Sequence, residues 1–159
     1  MAVIFSAREV VEAAVEKEKK RKGFYAAVAE LSADQEMKDL FQFLTEEEGR
    51  HVAAFARIRD SLPVGGDSGE YSADMDAYMD SVIDERLYSR IDSKEFVQQA
   101  IDARNVFSLA IGFEKDAILY FREFIPYLSE SDRMIVQELV DQEKEHIRRL
   151  AEMQRKAGE

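Results

Sequence analysis

The sequence predicts an all-α protein: a four-helix bundle of two antiparallel helix hairpins joined by a long crossover that contains a short helix. Three observations carry this prediction. Apolar residues recur at helical spacing in four long stretches, each opened by a residue able to cap a helix. Only two prolines and seven glycines occur in 159 residues, so long helices need not be interrupted. The clearest run of link residues, SLPVGGDSGEYS at 61–72, falls mid-chain, where a crossover between two hairpins has to lie.

Each element has its own justification. Ser6, with Glu9 three residues on, reads as a capping box opening the first helix, and Val11, Ala14, Val15, Tyr25 and Val28 form its apolar stripe to about Leu31. Ser32 and Gln35 open the second helix, whose inner face holds Phe41, Leu44, Val52 and Phe55 and which ends near Asp60. Beyond the link, Met75, Tyr78, Met79, Val82, Ile83 and Leu87 mark a short amphipathic helix. Ser93 caps a third long helix with Phe107, Ala110, Ile111, Ile118 and Phe121 facing inward, and Pro126 breaks it. Ser129 and Ser131 are both placed to cap a fourth, which buries Val136, Leu139, Val140, Ile147 and Leu150. A connection through residues 61–92 is long enough to run the length of the bundle and leave helices two and three parallel. Residues 1–159 read as a single domain.

Composition narrows the function. A net charge of -11 repels phosphate backbones and argues against nucleic acid. With no cysteine, disulfides, thiolate metal sites and thiol catalysis are excluded. The apolar run in MAVIFSAREV is too short for a signal peptide, and no stretch approaches a membrane span. The expectation is a cytoplasmic protein with no membrane partner. Met75, Met79 and Met134 read as core residues, not copper ligands.

Both histidines of the chain, His51 and His146, carry a glutamate three residues upstream, Glu48 and Glu143. A helix turns about 100° and rises about 1.5 Å per residue, so residues three apart share a face. Both pairs lie on apolar stripes. Glu48 follows Leu44 by four and His51 precedes Phe55 by four, while Glu143 follows Leu139 by four and His146 precedes Leu150 by four. The partner stripes hold one acid each, Glu18 with Val11, Ala14, Val15 and Tyr25, and Glu114 with Phe107, Ala110, Ile111 and Phe121.

Depths agree too. Glu18 lies about 20 Å of helix from the first turn and Glu48 about 24 Å, and Glu114 and Glu143 are nearly equidistant from the second. The halves repeat, with an offset of 96 residues for Glu18 to Glu114 and 95 for Glu48 to Glu143 and His51 to His146. Four buried carboxylates without partners would be very costly, and two divalent cations remove the difficulty. Carboxylate and imidazole donors suit iron or manganese. On this reading Glu48 and Glu143 bridge two metals, Glu18 and Glu114 are terminal ligands, and His51 and His146 each give one nitrogen.

Several residues stay open in this reading. Glu16, two residues from Glu18, competes with it for the first-helix ligand. Lys22, one turn from Glu18, either snorkels outward or balances carboxylate charge, and the surrounding run KEKKRK reads as a solvated face. Tyr25 is either a hydrogen-bond partner or electron carrier beside a ligand, or a core residue with a satisfied hydroxyl. Taken singly, Glu-x-x-His is an ordinary helix pair. The acids on the partner stripes and the repeated offset separate it from that bland alternative.

At these residues the chain resembles the ferritin-like di-iron carboxylate proteins, and more narrowly the rubrerythrins. The carrying stretches are EKKRKGFY (18–25), EEGRH (47–51), EKDAILYF (114–121) and EKEH (143–146), and the resemblance covers all but the 61–92 segment well. It implies two Fe ions cycling between Fe2+ and Fe3+, with Mn or Zn as possible substitutes. It implies a non-haem di-iron oxidoreductase that reduces hydrogen peroxide or dioxygen. It also implies an external electron donor and a homodimer paired through helices one and two.

There are three departures from the rubrerythrin pattern. The lack of cysteine leaves no rubredoxin-type relay. Ala117 stands where rubrerythrins place an extra glutamate, which brings the ligand set nearer to bacterioferritin-type sites. The chain leaves no room for the fifth helix of cage ferritins, which lowers the expectation of shell storage. The competing expectations are an iron-binding or ferroxidase protein for iron handling, and a non-catalytic metal-binding bundle.

Overall fold

The computed structural model describes residues 4–63, 70–72 and 88–159. Two long helices form the first hairpin, α1 (Ala7–Leu31) and α2 (Gln35–Ser61). A short α3 (Lys94–Asp102) precedes the second hairpin, α4 (Val106–Phe124) and α5 (Glu130–Ala157), whose turn includes a 3₁₀ segment at Ile125–Tyr127. Two three-residue strands, β1 (Ile4–Ser6) and β2 (Glu70–Ser72), pair antiparallel with Phe5 opposite Tyr71. They pin the crossover to the end of the bundle where α1 begins and α2 ends. The predicted helix through Met75 and Leu87 lies outside the described residues.

The hairpins are fastened by cations that satisfy orphan carbonyls at helix ends. Arg8 Nη1 donates to Arg59 O and Leu62 O, both at 3.0 Å, closing the end of α2. Lys38 Nζ donates to Ala29 O at 3.0 Å and Glu30 O at 3.2 Å, closing the end of α1. Arg133 Nε does the same for Leu128 O at 2.8 Å in the second hairpin. The segment leading into α3 runs along α1, where Gly23 is required. A Cβ built there would lie 2.7 Å from the Asp92 Cβ. The chain then reverses into α4, so Tyr120 near the end of α4 donates to Val10 O near the start of α1 at 3.1 Å. This makes α4 antiparallel to α1 and parallel to α2, as the long crossover demands.

The core is one continuous set of buried side chains from all four long helices. It includes Val11, Ala14, Val15, Tyr25, Val28, Phe41, Leu44, Phe55, Phe107, Ala110, Phe121, Val136, Leu139, Val140 and Leu150. Burial of each large side chain contributes about 1.5–3 kcal/mol.

The structure corrects three expectations and decides between two open alternatives. Ser93 caps a helix, accepting from Phe96 N at 3.1 Å, but that helix ends at Asp102 instead of continuing to Phe121. Arg104 turns the chain through φ 58°, and α4 starts afresh. Asn105 gives α4 no side-chain cap. Glu159 Oε1 instead accepts from Phe107 N at 3.2 Å, and Arg104 Nη2 donates to Ala157 O at 3.1 Å, so the far end of α5 holds the break. Ser32 does not open α2. Its hydroxyl donates back to Val28 O at 2.6 Å, and Asp34 caps α2 by accepting from Met37 N. Of the two serines before α5, Ser129 is the cap. Met134 is not core but 70% exposed, because it falls on the outer face of α5.

Candidate metal centre

Each long helix contributes to one polar cluster inside the apolar core. From α1 come Glu18, Arg21 and Tyr25; from α2, Glu48 and His51; from α4, Glu114; from α5, Glu143 and His146. Glu18, Glu48, His51, Glu114 and Glu143 are 0% exposed and His146 is 2% exposed. Helical spacing explains the placement, since each acid sits one turn from an apolar neighbour on the stripe that packs inward. All six residues singled out by the sequence are brought together. Glu16 is not among them. It is exposed on α1 and pairs with Lys19 at 3.4 Å. Lys22 also points outward, its Nζ lying over Gly49 on α2.

The donors form two overlapping quartets, Glu18–Glu48–His51–Glu143 and Glu48–Glu114–Glu143–His146. Within each quartet, one ligand atom from every residue lies within 4.8 Å of the others. Glu48 and Glu143 belong to both. The two imidazoles face the carboxylates through Nδ1 and stack with centroids 5.7 Å apart and planes 13° apart. His51 Nδ1 lies 2.7 Å from Glu143 Oε1 without hydrogen-bond alignment, while its Nε2 meets Gln142 Oε1 at 2.8 Å. His146 Nδ1 lies 3.1 Å from Glu143 Oε2, and Phe43 packs edge-on against its ring at 6.2 Å. Tyr25 donates its hydroxyl proton to Glu114 Oε1.

The electrostatics follow from crowding four carboxylates in a dry interior. Burial, then Glu143, push the Glu48 carboxyl well above the usual range. Glu18 goes the other way: burial would raise it, but the Arg21 guanidinium beside it prevails and lowers it. Glu114 falls to about 2 despite burial, through its contacts with Glu143 and His146. Burial would lower both imidazoles. Glu143, Glu18 and Glu48 instead raise His51 strongly, and Glu114, Glu143 and Glu48 raise His146 to about 12. Burial and the adjacent Glu114 raise the Tyr25 hydroxyl well above its usual value, so it stays a donor.

The orphaned atoms test whether these residues fit metal ions. Glu18 Oε2, both oxygens of Glu48, His51 Nδ1, Glu114 Oε2 and Glu143 Oε1 are buried without a hydrogen-bond partner. Among the described residues, the one other such side-chain atom is Arg21 Nε. Leaving so many polar atoms, five of them carboxylate oxygens, unsatisfied at one point is very costly in a protein interior, and cations held between them remove that cost. Oxygen and imidazole donors without thiolate match a di-iron-type pair.

Three participants were not anticipated from the sequence. Arg21 lies in the cluster. It pairs with Glu18 and reaches Glu48 Oε2 at 3.6 Å and Glu143 Oε1 at 3.8 Å. Its position was legible, being three residues after Glu18 and four before Tyr25, on the same stripe. Gln142 orients His51 from outside the stripe, and no local signal marks it. Tyr88, buried where the crossover meets α1, donates to Phe113 O at 3.4 Å and is electrostatically coupled to Arg21.

The described helices form a ferritin-like fold with a buried carboxylate–histidine cluster at its centre. A solved structure from Thermotoga maritima, assigned as a ferritin-like diiron-carboxylate protein, superposes with a TM-score of 0.67 over 96% of this chain and 97% of that one, at 25% sequence identity. Searched against models of known protein families and against curated proteins, the sequence matches none. Among the described residues, no helix is long and apolar enough to cross a membrane.

Proposed function

We propose that the chain is a rubrerythrin-like di-iron oxidoreductase that reduces hydrogen peroxide or dioxygen with oxidation of Fe(II). The observation that carries this reading is the pair of quartets sharing Glu48 and Glu143, a donor set for two neighbouring cations. Glu48 and Glu143, common to both quartets, would serve both ions, with Glu18 and His51 completing one site and Glu114 and His146 the other. Two ferrous ions bound there would supply the two electrons that, with two protons, reduce hydrogen peroxide to two waters.

The protein supplies positioning and exclusion. Its apolar walls keep bulk water from the donors, which strengthens every charge interaction inside. Gln142 accepts from the outer nitrogen of His51 and so leaves Nδ1 free to face the ions. Tyr25 holds a proton on Oη and donates it to Glu114, keeping that carboxylate oriented as an acceptor. Ala117, buried at 2% exposure, adds no further carboxylate. With no cysteine in the sequence, the reducing electrons come from an external donor. Homodimer formation belongs to the same proposal and is read by light scattering.

Reconstitution with Fe(II) under nitrogen is expected to give about two metals per chain. Stopped-flow addition of peroxide is then expected to produce ferric near-ultraviolet absorption. A flat trace from fully loaded protein would overturn the redox reading.

A further inference from the structure

We propose that Arg21 makes the two halves of the centre unequal, so that the Glu48–Glu114–Glu143–His146 half takes a divalent cation first and the Glu18–Glu48–His51–Glu143 half takes one later and more weakly. This inference rests on the metal-centre reading above and assigns an order to it.

Arg21 is 1% exposed, and a guanidinium keeps its charge at any pH a protein survives. Its position is lopsided. Nη2 pairs with Glu18, which belongs to one quartet alone, and lies 3.6 Å from Glu48 Oε2 and 3.8 Å from Glu143 Oε1. Glu48 presents its other oxygen, Oε1, to His146 at 3.7 Å, and Glu143 presents Oε2 to the same ring at 3.1 Å. Each shared carboxylate therefore turns one oxygen toward the guanidinium and the other toward the His146 half. Glu114 and His146, the residues unique to that half, make no ion pair with Arg21 among those the structure shows.

An ion entering the His51 half has to displace the guanidinium from Glu18 or share its carboxylates with it. Displacement meets resistance, because the stem of Arg21 is packed in the core with its guanidinium 5.9 Å from the centre of the Phe121 ring. A unit charge about 4 Å from a divalent ion, even screened as fully as bulk water allows, weakens binding by roughly thirtyfold. Allowing the side chain some retreat, the two equivalents are expected to differ by at least about tenfold.

Calorimetric titration of the purified chain with Co(II), with its visible absorption followed in parallel, reads this directly. The wild type is expected to bind one equivalent tightly and a second at least about tenfold more weakly. Arg21→Met keeps the stem and removes the charge. It is expected to narrow the gap between the two equivalents by about tenfold, while Arg21→Lys keeps it. In an independent arm that does not depend on Arg21→Met folding, Glu114→Gln abolishes the tight equivalent and Glu18→Gln spares it.

Two equal equivalents in the wild type, an unchanged gap in folded Arg21→Met, or loss of the tight equivalent in Glu18→Gln would each overturn the ordering and leave the metal centre standing. Failure of the wild type to bind Co(II) at all would remove both.

Discussion

Replacing Glu48 by glutamine separates a ligand from a structural ion pair, because its effect should reverse sign with metal. Glu48 is fully buried and belongs to both quartets, so one change weakens both sites. Without metal, the carboxylate is a burden. Neither oxygen has a hydrogen-bond partner, and Glu143, Glu18 and Glu114 all disfavour its charge. Neutralising it is expected to leave metal-free stability unchanged or to raise it by up to about 2 kcal/mol. With metal, each ion present at a hundredfold above its Kd stabilises the native state by about 2.7 kcal/mol, or about 5 kcal/mol for two. At this chain length each kcal/mol moves Tm by roughly 2–4 °C, so the wild type should gain about 10–20 °C on loading. Glu48→Gln should gain little or nothing. Thermal unfolding followed by circular dichroism, in chelator and in excess Co(II), measures all four states. A variant that loses several kcal/mol in chelator, yet keeps the full metal-induced rise, would refute the argument: Glu48 would then be a counter-ion for Arg21 and the imidazoles.

Three other outcomes are expected. Gln142→Leu frees the outer nitrogen of His51 and should lower metal affinity about 10–100-fold with little change in stability, measured by competition with a chelating dye. Because His51 and His146 are raised far above their ordinary values in the metal-free chain, both carry protons at neutral pH and must lose them to bind metal. Binding should therefore release protons, and apparent affinity should climb about tenfold per pH unit per ion above neutrality, read by calorimetry in two buffers of different ionisation heat. The sign for metal-free stability is opposite: the contribution of these imidazoles is fully present below about pH 6.5 and declines as pH rises toward their folded values. Gly23→Ala drives a Cβ against Asp92 and should cost about 1–3 kcal/mol in urea unfolding while leaving metal affinity unchanged.

The six acidic and imidazole side chains were legible because a helix fixes both direction and depth. Glu48 and His51 share a face by spacing alone, and counting residues from each turn sets their level against Glu18. The break between α3 and α4 was not legible. Nothing in AIDARNVF forbids a continuous helix, and the contacts that hold the break come from Ala157 and Glu159, more than fifty residues away. Ser32 looked like a cap because local sequence cannot tell a hydroxyl that accepts from N–H ahead from one that donates to the carbonyl behind. Arg21 was missed for another reason. A lone cation within KEKKRK reads as one more solvated charge, although its neighbours Lys20 and Lys22 face out and its own stripe faces in.

The dryness of the six donors also governs tempo. Each is at most 2% exposed, and next to His146 the ring of Phe43 lies beneath the guanidinium of Arg149, whose centre is 4.4 Å away. Whatever enters or leaves must wait for side chains or a helix turn to move aside, so exchange is timed by the breathing of the bundle rather than by the strength of any bond inside it. A cation held there would leave only when such an opening occurs.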